Sequence, residues 1–340
     1  MIIPNHINLS IPKDRIITTF IFLSLLLVAA FRDGSYFYDY ANYENAVNTF
    51  SFSWATLLGK EPGFIIIAAI SNLSPTPAIF FFFIFAFVSL LVKFYALRHG
   101  ADHFYYALFA LFCIYYLQHE LTQIRVSVSA GFFMLAYMYI LKGNKKLFYL
   151  NCFLAFCFHF SAIILFPLYW VLRRKYSYNV IFLLLPFIGF LLHKLMFLSL
   201  VIDFIIENAP VVISTKLRIY NEFVIAGKME GINLFNPNFL LFLSLYLLFT
   251  IPQFSKTMRV QHDNRIVVTW RLLSICIFCY FSFSYITVFS FRTYELLSVA
   301  MVLSLHSVSQ YYKQKLIIRM FLISILLLFL FLNISTLIVF

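Results

Sequence analysis

Long apolar stretches divide the sequence, and most polar residues fall between them. Nine of these stretches have the length of a bilayer-spanning helix: residues 16–31, 78–97, 104–118, 121–141, 180–201, 238–255, 267–290, 296–312 and 320–338. An α-helix rises about 1.5 Å per residue, and a bilayer core is about 30 Å thick. The pattern predicts an all-α, polytopic integral membrane protein in which residues 1–340 form one membrane domain.

Two further apolar stretches do not fit simple crossings. Residues 62–73 are too few to cross a bilayer and end at the proline-rich 74–77. Residues 147–172 carry His159 and Ser161 at their middle. We predict that both are re-entrant or broken segments, making eleven apolar segments in all. Irregular backbone inside a membrane needs protein or a wet cavity around it, so this topology also predicts an outward-facing cavity.

The basic residues decide between this topology and one in which both short stretches cross. The re-entrant topology places these basic residues in the cytoplasm: Lys13, Arg15, Lys93, Arg98, Lys142, Lys145, Lys146, Arg173, Arg174, Lys175, Lys256, Arg259, Arg265, Arg271, Lys313, Lys315 and Arg319. The alternative divides all 25 basic residues of the chain almost evenly between the two sides, which the positive-inside rule disfavours. The favoured topology leaves two long outer segments, an outer loop with a re-entrant segment at 32–77 and a large periplasmic loop at 203–237.

The composition excludes several classes of protein. Apolar residues make up 63 % of the 340 residues and charged residues 11 %, which excludes a soluble protein. The net charge of +12 is typical of basic cytoplasmic loops, and no basic run with interleaved aromatics indicates nucleic-acid binding. The five cysteines lie in apolar stretches, where packing is their ordinary role. Neither a metal-ligand motif nor a nucleotide-binding loop occurs, so we predict no metal and no cofactor.

Arginines on the predicted outer side are the first candidates for binding chemistry. Arg32, Arg125, Arg218 and Arg292 lie at or near the ends of apolar segments. Arginine presents a planar fork that matches phosphate oxygens, so the four together indicate a diphosphate site. The alternative is interfacial anchoring and ion pairing, with Arg292 and Glu295 as an ordinary i, i+3 helical pair.

His159 is the candidate base, because an imidazole can take a proton from a hydroxyl group at neutral pH. A hydrogen-bonded structural histidine is the alternative. His193 and His306 are assigned to packing and His119 to a loop. The aromatic residues of the first outer loop, such as Tyr40 and Tyr43, suit either interface anchoring or stacking against sugar rings.

Several short motifs occur in a specific order. They are Phe31-Arg32-Asp33, Asp39-Tyr40 with Tyr43, Glu61-Pro62-Gly63-Phe64, Gln123-Ile124-Arg125, Phe158-His159 with Ser161-Ala162 and Pro167, Arg218 with Tyr220, and Phe291-Arg292 with Tyr294-Glu295. This ordered set resembles the EpsG family of bacterial exopolysaccharide proteins, which is related to Wzy-type O-antigen and capsule polymerases. The resemblance covers roughly residues 31–300. The spacer 34–38 is longer and more aromatic than the family's turn, which leaves open the roles of Asp33 and Asp39.

The resemblance implies a metal-independent membrane glycosyltransferase of the bacterial inner membrane with its active site facing the periplasm. It would join undecaprenyl-diphosphate-linked oligosaccharides, with a chain-length regulator and a flippase as further partners. The implied catalytic residue is His159 or, failing it, Glu61 or Asp39. The implied site residues are Arg125, Arg292, Arg218 and Arg32 for the diphosphate, and Asp33, Tyr40, Tyr43, Tyr220 and Glu295 for sugar.

Two other functions fit an outward polar cavity. One is a lipid-linked oligosaccharide flippase or other transporter, and the other is a polysaccharide O-acyltransferase with an intramembrane histidine. Transporters commonly show matched halves and charges near the membrane midplane. In this sequence the halves do not match and the predicted charges gather at one face, which favours the polymerase.

Overall fold

A computed structural model describes residues 13–37, 39–53, 59–173, 179–208, 232–254 and 264–338, with isolated positions at 56, 218, 221–222, 224 and 226. These parts of the chain are helical and contain no strand. The helices are α1 (Lys13–Ala30), α2 (Tyr40–Asn48), α3 (Pro62–Ser71), α4 (Pro77–Gly100), α5 (Phe104–Leu111), α6 (Leu117–Leu121), α7 (Ile124–Lys142), α8 (Lys145–Phe158), α9 (Leu168–Leu172), α10 (Asn179–Lys194), α11 (Phe197–Asn208), α12 (Pro237–Phe254), α13 (Asn264–Ser282), α14 (Thr287–Ser298), α15 (Leu305–Ser309) and α16 (Lys315–Ile338). A π-helical turn, Phe112–Tyr116, joins α5 to α6.

Local sequence explains several helix ends. Helices α3 and α4 begin at Pro62 and Pro77, where the missing proline N–H breaks no helical hydrogen bond. Helix α7 ends at Gly143, whose φ of 71° lies in the left-handed region that glycine adopts without strain. The Asn144 side chain then accepts a hydrogen bond from the backbone N–H of Leu147 and caps α8. This turn lets α7 and α8 pack side by side.

Five helices in the described residues are long and apolar enough to cross a membrane. They are α4, α7, α12, α13 and the Lys315–Thr336 part of α16. The pair α10 and α11 makes a sixth if it is counted as one bent span. An all-α, multi-pass membrane protein is therefore confirmed, whereas several of the nine predicted spans have different boundaries.

The prediction of unbroken spans at 267–290 and 296–312 is wrong. Helix α13 ends at Ser282, and α14 occupies the predicted loop between these spans. A 3₁₀ segment, Val299–Leu303, and the short α15 follow. Serine hydroxyls compete for backbone partners at the first break, where the Ser284 side chain donates to the carbonyl of Phe281.

The predicted span 180–201 is also divided. Helices α10 and α11 meet at an angle of 67°. Met196, at the break, has a φ of 50°, which an α-helix cannot contain. The bend separates α10, which packs on α13, from α11.

The segment 147–172 folds back at His159, the predicted vertex. Helix α8 leads to His159, and a 3₁₀ segment, Phe160–Leu165, and α9 return. The rings of Phe148 and Tyr169 lie 5.4 Å apart, and the Tyr169 hydroxyl donates to the carbonyl of Gly143 at 2.9 Å. Both ends of this hairpin therefore lie at the same end of the bundle.

That end of the bundle, which we call the basic end, gathers several helix termini. Arg173 donates to the carbonyl of Ile140 at 2.6 Å, and Arg265 donates to the carbonyl of Gly100 at 2.6 Å. Basic residues near these termini include Arg98, Lys142, Lys145, Arg173 and Arg265. His159 lies at the other end of α8, one helix length away.

Two residues assigned to cytoplasmic clusters are instead buried, so that part of the charge assignment is wrong. Lys93 is 1 % exposed and pairs with Glu120 at 2.7 Å. Arg271 is 2 % exposed and donates to the side chain of Asn179 and to the carbonyl of Leu172. Each lies in an apolar run with partners on other helices, which sequence position does not show.

A close contact between α10 and α13 gives a test of the packing. A Cβ atom at Gly189 would lie 2.7 Å from the carbonyl oxygen of Phe278 and 2.9 Å from its Cα. We expect Gly189→Ala to destabilise the protein by about 1–3 kcal/mol, since backbone cannot rotate away as a side chain can. Gly59→Ala is the control, because no heavy atom lies within 4 Å of its Cβ position. Equal apparent melting temperatures of the two variants in nanodiscs would contradict this packing.

Candidate active site

Three residues distant in sequence meet at the end of the bundle opposite the basic end. Glu61 immediately precedes α3, Arg125 lies in the first turn of α7, and His159 is the hairpin vertex. The Glu61 carboxylate accepts from Arg125 Nη1 at 2.5 Å through Oε2. Its Oε1 lies 3.2 Å from His159 Nδ1. We call these three residues the carboxylate centre.

Backbone conformation presents two of these side chains. Glu61 has φ −70° and ψ 145°, an extended conformation favoured before proline, and Pro62 begins the helix. His159 has φ −154° and ψ 120°, so the chain is extended for one residue between α8 and the returning 3₁₀ segment. Gly63 allows the two segments to approach, because a Cβ there would lie 2.6 Å from the Phe158 ring.

Burial and pairing set the charges of this centre. Burial would raise the pKa of Glu61, but the hydrogen bond with His159 and the charge of Arg125 outweigh burial and lower that pKa to about 2. Burial lowers the pKa of His159 below its usual value of 6.5, although the hydrogen bond with Glu61 opposes this shift. At neutral pH the centre therefore holds an ionised Glu61, a cationic Arg125 and a neutral His159.

The other nitrogen of His159 is available for chemistry. A neutral imidazole that donates its Nδ1–H to Glu61 has a lone pair on Nε2. Nε2 is buried and has no hydrogen-bond partner in the described part of the structure, and the same is true of the nearby Ser161 hydroxyl. An oriented, neutral imidazole with an unpartnered acceptor nitrogen is the arrangement of a general base.

Aromatic rings form one wall of the centre. The Arg125 guanidinium carbon lies 5.5 Å from the ring centre of Tyr43 and 5.9 Å from that of Phe64. Tyr40 stacks on Phe82 at 4.5 Å, and Tyr43 meets the same Phe82 ring edge-on at 6.5 Å. The predicted sugar-binding residues Tyr40 and Tyr43 thus lie in the wall itself.

Asp39 and Arg292 lie within electrostatic range of this centre. Burial raises the pKa of Asp39, which Arg292 and Arg125 oppose. Arg292, on α14, also acts on His159. Glu295 on the same helix is 8 % exposed, and its Oε2 has no described hydrogen-bond partner. The alternative i, i+3 pair of Arg292 and Glu295 is not among the ion pairs that the described residues form.

The remaining predicted site residues have different surroundings. Arg32 is buried against Phe82. Asp33 is exposed and caps a 3₁₀ turn by accepting hydrogen bonds from Ser35. Arg218 is exposed, and no described contact joins it to the carboxylate centre. Tyr220 lies outside the described residues.

A buried group that sequence reasoning missed includes Ser127, which lies two residues after Arg125 on α7. Lys93 Nζ lies 2.7 Å from Glu120 Oε1, 2.8 Å from the Ser127 hydroxyl and 3.4 Å from His119 Nδ1. The Ser89 hydroxyl also reaches Glu120 and Ser127. We call this group the lysine cluster. Ser89 and Lys93, four residues apart on one helix face, were a signal for it.

The lysine cluster corrects two predictions. His119 is fully buried on α6 and is not in a loop. The predicted gathering of all charges at one face is also wrong, because Lys93 and Glu120 lie inside the bundle. Among the described residues, no group of three or more histidine, cysteine or acidic side chains is arranged to hold a metal ion.

Comparison with known protein families adds to the evidence from the site, the motif order and the all-helical fold. A family model described as EpsG family matches residues 15–339. This chain belongs to the EpsG family. EpsG proteins are Wzy-like polymerases, so the resemblance stated from the short motifs is confirmed. No curated protein and no solved structure matches the chain.

Family membership supports a multi-pass membrane protein of polysaccharide biosynthesis. Within the EpsG chain, the carboxylate centre combines residues from three motifs. Glu61 is 64 residues from Arg125 and 98 residues from His159 in the sequence. The fold thus unites three motifs that the sequence shows only in order.

Removing the Glu61 charge tests the carboxylate centre. Glu61→Gln keeps the side-chain size but leaves Arg125 without its buried anion, so we expect a loss of about 3 kcal/mol in stability. Asp14→Asn is the matched control, because Asp14 pairs with Arg98 at the same 2.5 Å but on the surface. It should barely change the apparent melting temperature. Equal melting temperatures of the two variants would show that Glu61 does not hold the centre together.

Proposed function

We propose that this EpsG protein polymerises undecaprenyl-diphosphate-linked oligosaccharide repeat units into O-antigen, capsule or exopolysaccharide on the outer face of the inner membrane. The observation that carries the proposal is the buried His159, whose Nδ1 faces Glu61 and whose Nε2 has no described partner. Family membership supports the reaction class.

The reaction is a glycosyl transfer. A sugar hydroxyl of one lipid-linked unit attacks the anomeric carbon of another, and a new glycosidic bond forms. The bond between that carbon and the lipid diphosphate breaks, and the diphosphate leaves with the bonding electrons. Nε2 of His159 takes the hydroxyl proton, and the Glu61 carboxylate stabilises the resulting imidazolium.

The geometry favours His159 over the two other candidate bases. A carboxylate with a pKa of about 2 that is already held by two partners is a poor proton acceptor, so Glu61 is assigned an orienting role. Asp39 has a raised pKa and lies near Arg292. It stays the second candidate.

Arginines stabilise the leaving diphosphate in this proposal, and no metal ion is required. Arg125 already has Glu61 as its counter-charge, which reduces what it offers to a phosphate. Arg292 forms no ion pair among the described residues. It lies within electrostatic range of His159 and Asp39. Asp33, Tyr40, Tyr43 and Glu295 remain the proposed sugar contacts, with Arg218 and Tyr220 contributed by the large outer loop.

The proposed orientation follows from the basic end. Basic residues collect on the cytoplasmic side of membrane proteins, and the carboxylate centre lies at the opposite end of α8. We therefore propose re-entrant segments at 62–73 and 147–172 and a periplasmic active site. A chain-length regulator and a flippase would act beside it.

The buried lysine cluster is the observation that favours a transporter, because ionisable residues inside a bundle often mark an ion path. A flippase would deliver the substrate and a polymerase would consume it. The two functions therefore differ in the glycans that accumulate when the protein is lost.

Cysteine labelling tests the orientation. With Cys157 replaced by serine, Lys145→Cys should react with a membrane-impermeant maleimide only after permeabilisation, because Lys145 lies at the basic end. Lys60→Cys, next to Glu61, should react in intact spheroplasts. Labelling of Lys145→Cys from outside would overturn the orientation.

His159→Gln tests the catalytic role in a strain that lacks the chromosomal copy. An amide can replace a structural hydrogen bond, worth about 1 kcal/mol, but it cannot accept a proton at neutral pH. Loss of general-base catalysis lowers a rate by about 10²–10⁴. We therefore expect normal membrane insertion and no glycan ladder by electrophoresis, with single-repeat glycans retained.

The outcomes separate the proposed functions. A near-normal ladder from His159→Gln would move the base to Asp39. Loss of the single-repeat glycans as well, in the deletion strain, would indicate a flippase and contradict the polymerase. Wild-type protein from a plasmid is the control for expression.

A further inference from the structure

Arg32 is a buried cation that forms no ion pair among the described residues, unlike Lys93 and Arg125. It is 8 % exposed, and Nη1 donates to the carbonyl of Ala29 at 2.5 Å. Nε and Nη2 are buried and have no hydrogen-bond partner in the described residues. Burying a charged group with unmade hydrogen bonds is costly, so such a group calls for an explanation.

The aromatic neighbours of Arg32 do not supply the missing partners. Its guanidinium carbon lies 4.1 Å from the ring centre of Phe82 and 5.4 Å from that of Tyr40. Rings in these positions stabilise the cation through their faces. Phe82 has no acceptor atom, and the Tyr40 hydroxyl makes no hydrogen bond with the Nε–H and Nη2–H groups, which lie along one edge of the guanidinium.

The buried carboxylate that acts electrostatically on Arg32 is already paired. Glu120 is an acidic side chain within electrostatic range of Arg32. Its Oε1 accepts from Lys93 at 2.7 Å, and both side chains are almost fully buried. Glu120 therefore balances Lys93, and this region of the bundle keeps one positive charge from Arg32.

Arg125 provides the comparison within the same aromatic wall. Its Nη1 has the Glu61 carboxylate at 2.5 Å, and its Nε points to the Tyr43 hydroxyl at 3.4 Å. One of the two wall arginines thus has an internal anion and the other has none. The second is suited to an anion that arrives from outside.

We propose that Arg32 binds the diphosphate of the polyprenyl-linked substrate, with Nε and Nη2 donating side-on to two phosphate oxygens. This edge of a guanidinium matches phosphate geometry. The assignment separates two of the four predicted diphosphate arginines: Arg32 receives the head group, and Arg125 holds Glu61. The polyprenyl source rests on the proposed function, whereas the anion site rests on the contacts above.

The surroundings of Arg32 also suit a lipid. Leu27, Val28 and Phe31 are between 52 % and 64 % exposed on the outer surface of α1 and just after it. A prenyl chain could lie along these side chains while its diphosphate reaches Arg32. The site therefore takes a head group that remains attached to its chain in the bilayer.

The test measures binding to the full-length protein in nanodiscs. The probes are undecaprenyl diphosphate, undecaprenol and inorganic diphosphate, each followed by thermophoresis and by the ligand-induced change in apparent melting temperature. The variants are Arg32→Gln and Arg32→Lys. Arg98→Gln is the matched control, since Arg98 is an exposed arginine at the basic end.

We expect undecaprenyl diphosphate to bind the wild type and Arg98→Gln equally and undecaprenol to bind neither. Arg32→Gln should weaken binding about tenfold or more, as expected for lost hydrogen bonds to a charged group. Arg32→Lys keeps the charge but loses the side-on fork, so its binding should be intermediate. Without ligand, Arg32→Gln should melt no lower than the wild type, because it removes two unpartnered buried donors.

Unchanged binding by Arg32→Lys and Arg32→Gln would overturn the proposal. If Arg32→Gln does not fold, Arg32→Lys alone decides, and wild-type affinity in that variant would assign Arg32 to structure. Inorganic diphosphate binding as tightly as the lipid would overturn the polyprenyl source. A different result would contradict the polymerase function and leave this site intact: undecaprenyl diphosphate binds through Arg32 in nanodiscs, but cells that express the wild-type protein make no glycan ladder.

Discussion

The buried carboxylate of Glu61 is the constraint around which the candidate site is built. An ionised carboxylate inside a membrane protein persists only with counter-charges and hydrogen bonds around it. Arg125 and His159 supply these, and each comes from a different part of the chain. The start of α3, the start of α7 and the hairpin vertex must therefore lie together whenever Glu61 is charged. Gly63 makes this possible, because any side chain there would meet Phe158.

The lysine cluster holds the same region from the inner side. Ser127 lies two residues after Arg125 on α7 and contacts both Lys93 and Ser89 on α4. Glu120 precedes the turn that leads into α7. The first turns of α7 are thus held by the lysine cluster on the inner side and by Glu61 on the side of the carboxylate centre. Positioning of this kind is what a general base and its orienting carboxylate need, since small displacements are costly for catalysis.

The sequence allowed the membrane class, the family and the hairpin vertex to be predicted, because apolar run length and motif order are local properties. It did not allow the helix breaks near Ser284 and Met196 to be predicted, since apolar runs continue through both. Lys93 and Arg271 were misplaced for a related reason. The positive-inside rule treats a basic residue in a run as a loop marker, whereas a partner on another helix can bury it. Glu61 and His159 were singled out separately, but their contact spans 98 residues and depends on tertiary structure.

The two arginines of the aromatic wall illustrate how a site can be both stable and ready for an anion. A site whose cations were all neutralised internally would offer a phosphate little, because each new contact would replace an existing one. A site with no internal pairs would be hard to fold, since every buried charge would be unsatisfied. Pairing Arg125 with Glu61 while leaving one edge of Arg32 without a partner lies between these limits. On Arg32, two N–H groups have no partner among the described residues, and donors held in place in this way are what electrostatic stabilisation of a leaving diphosphate requires.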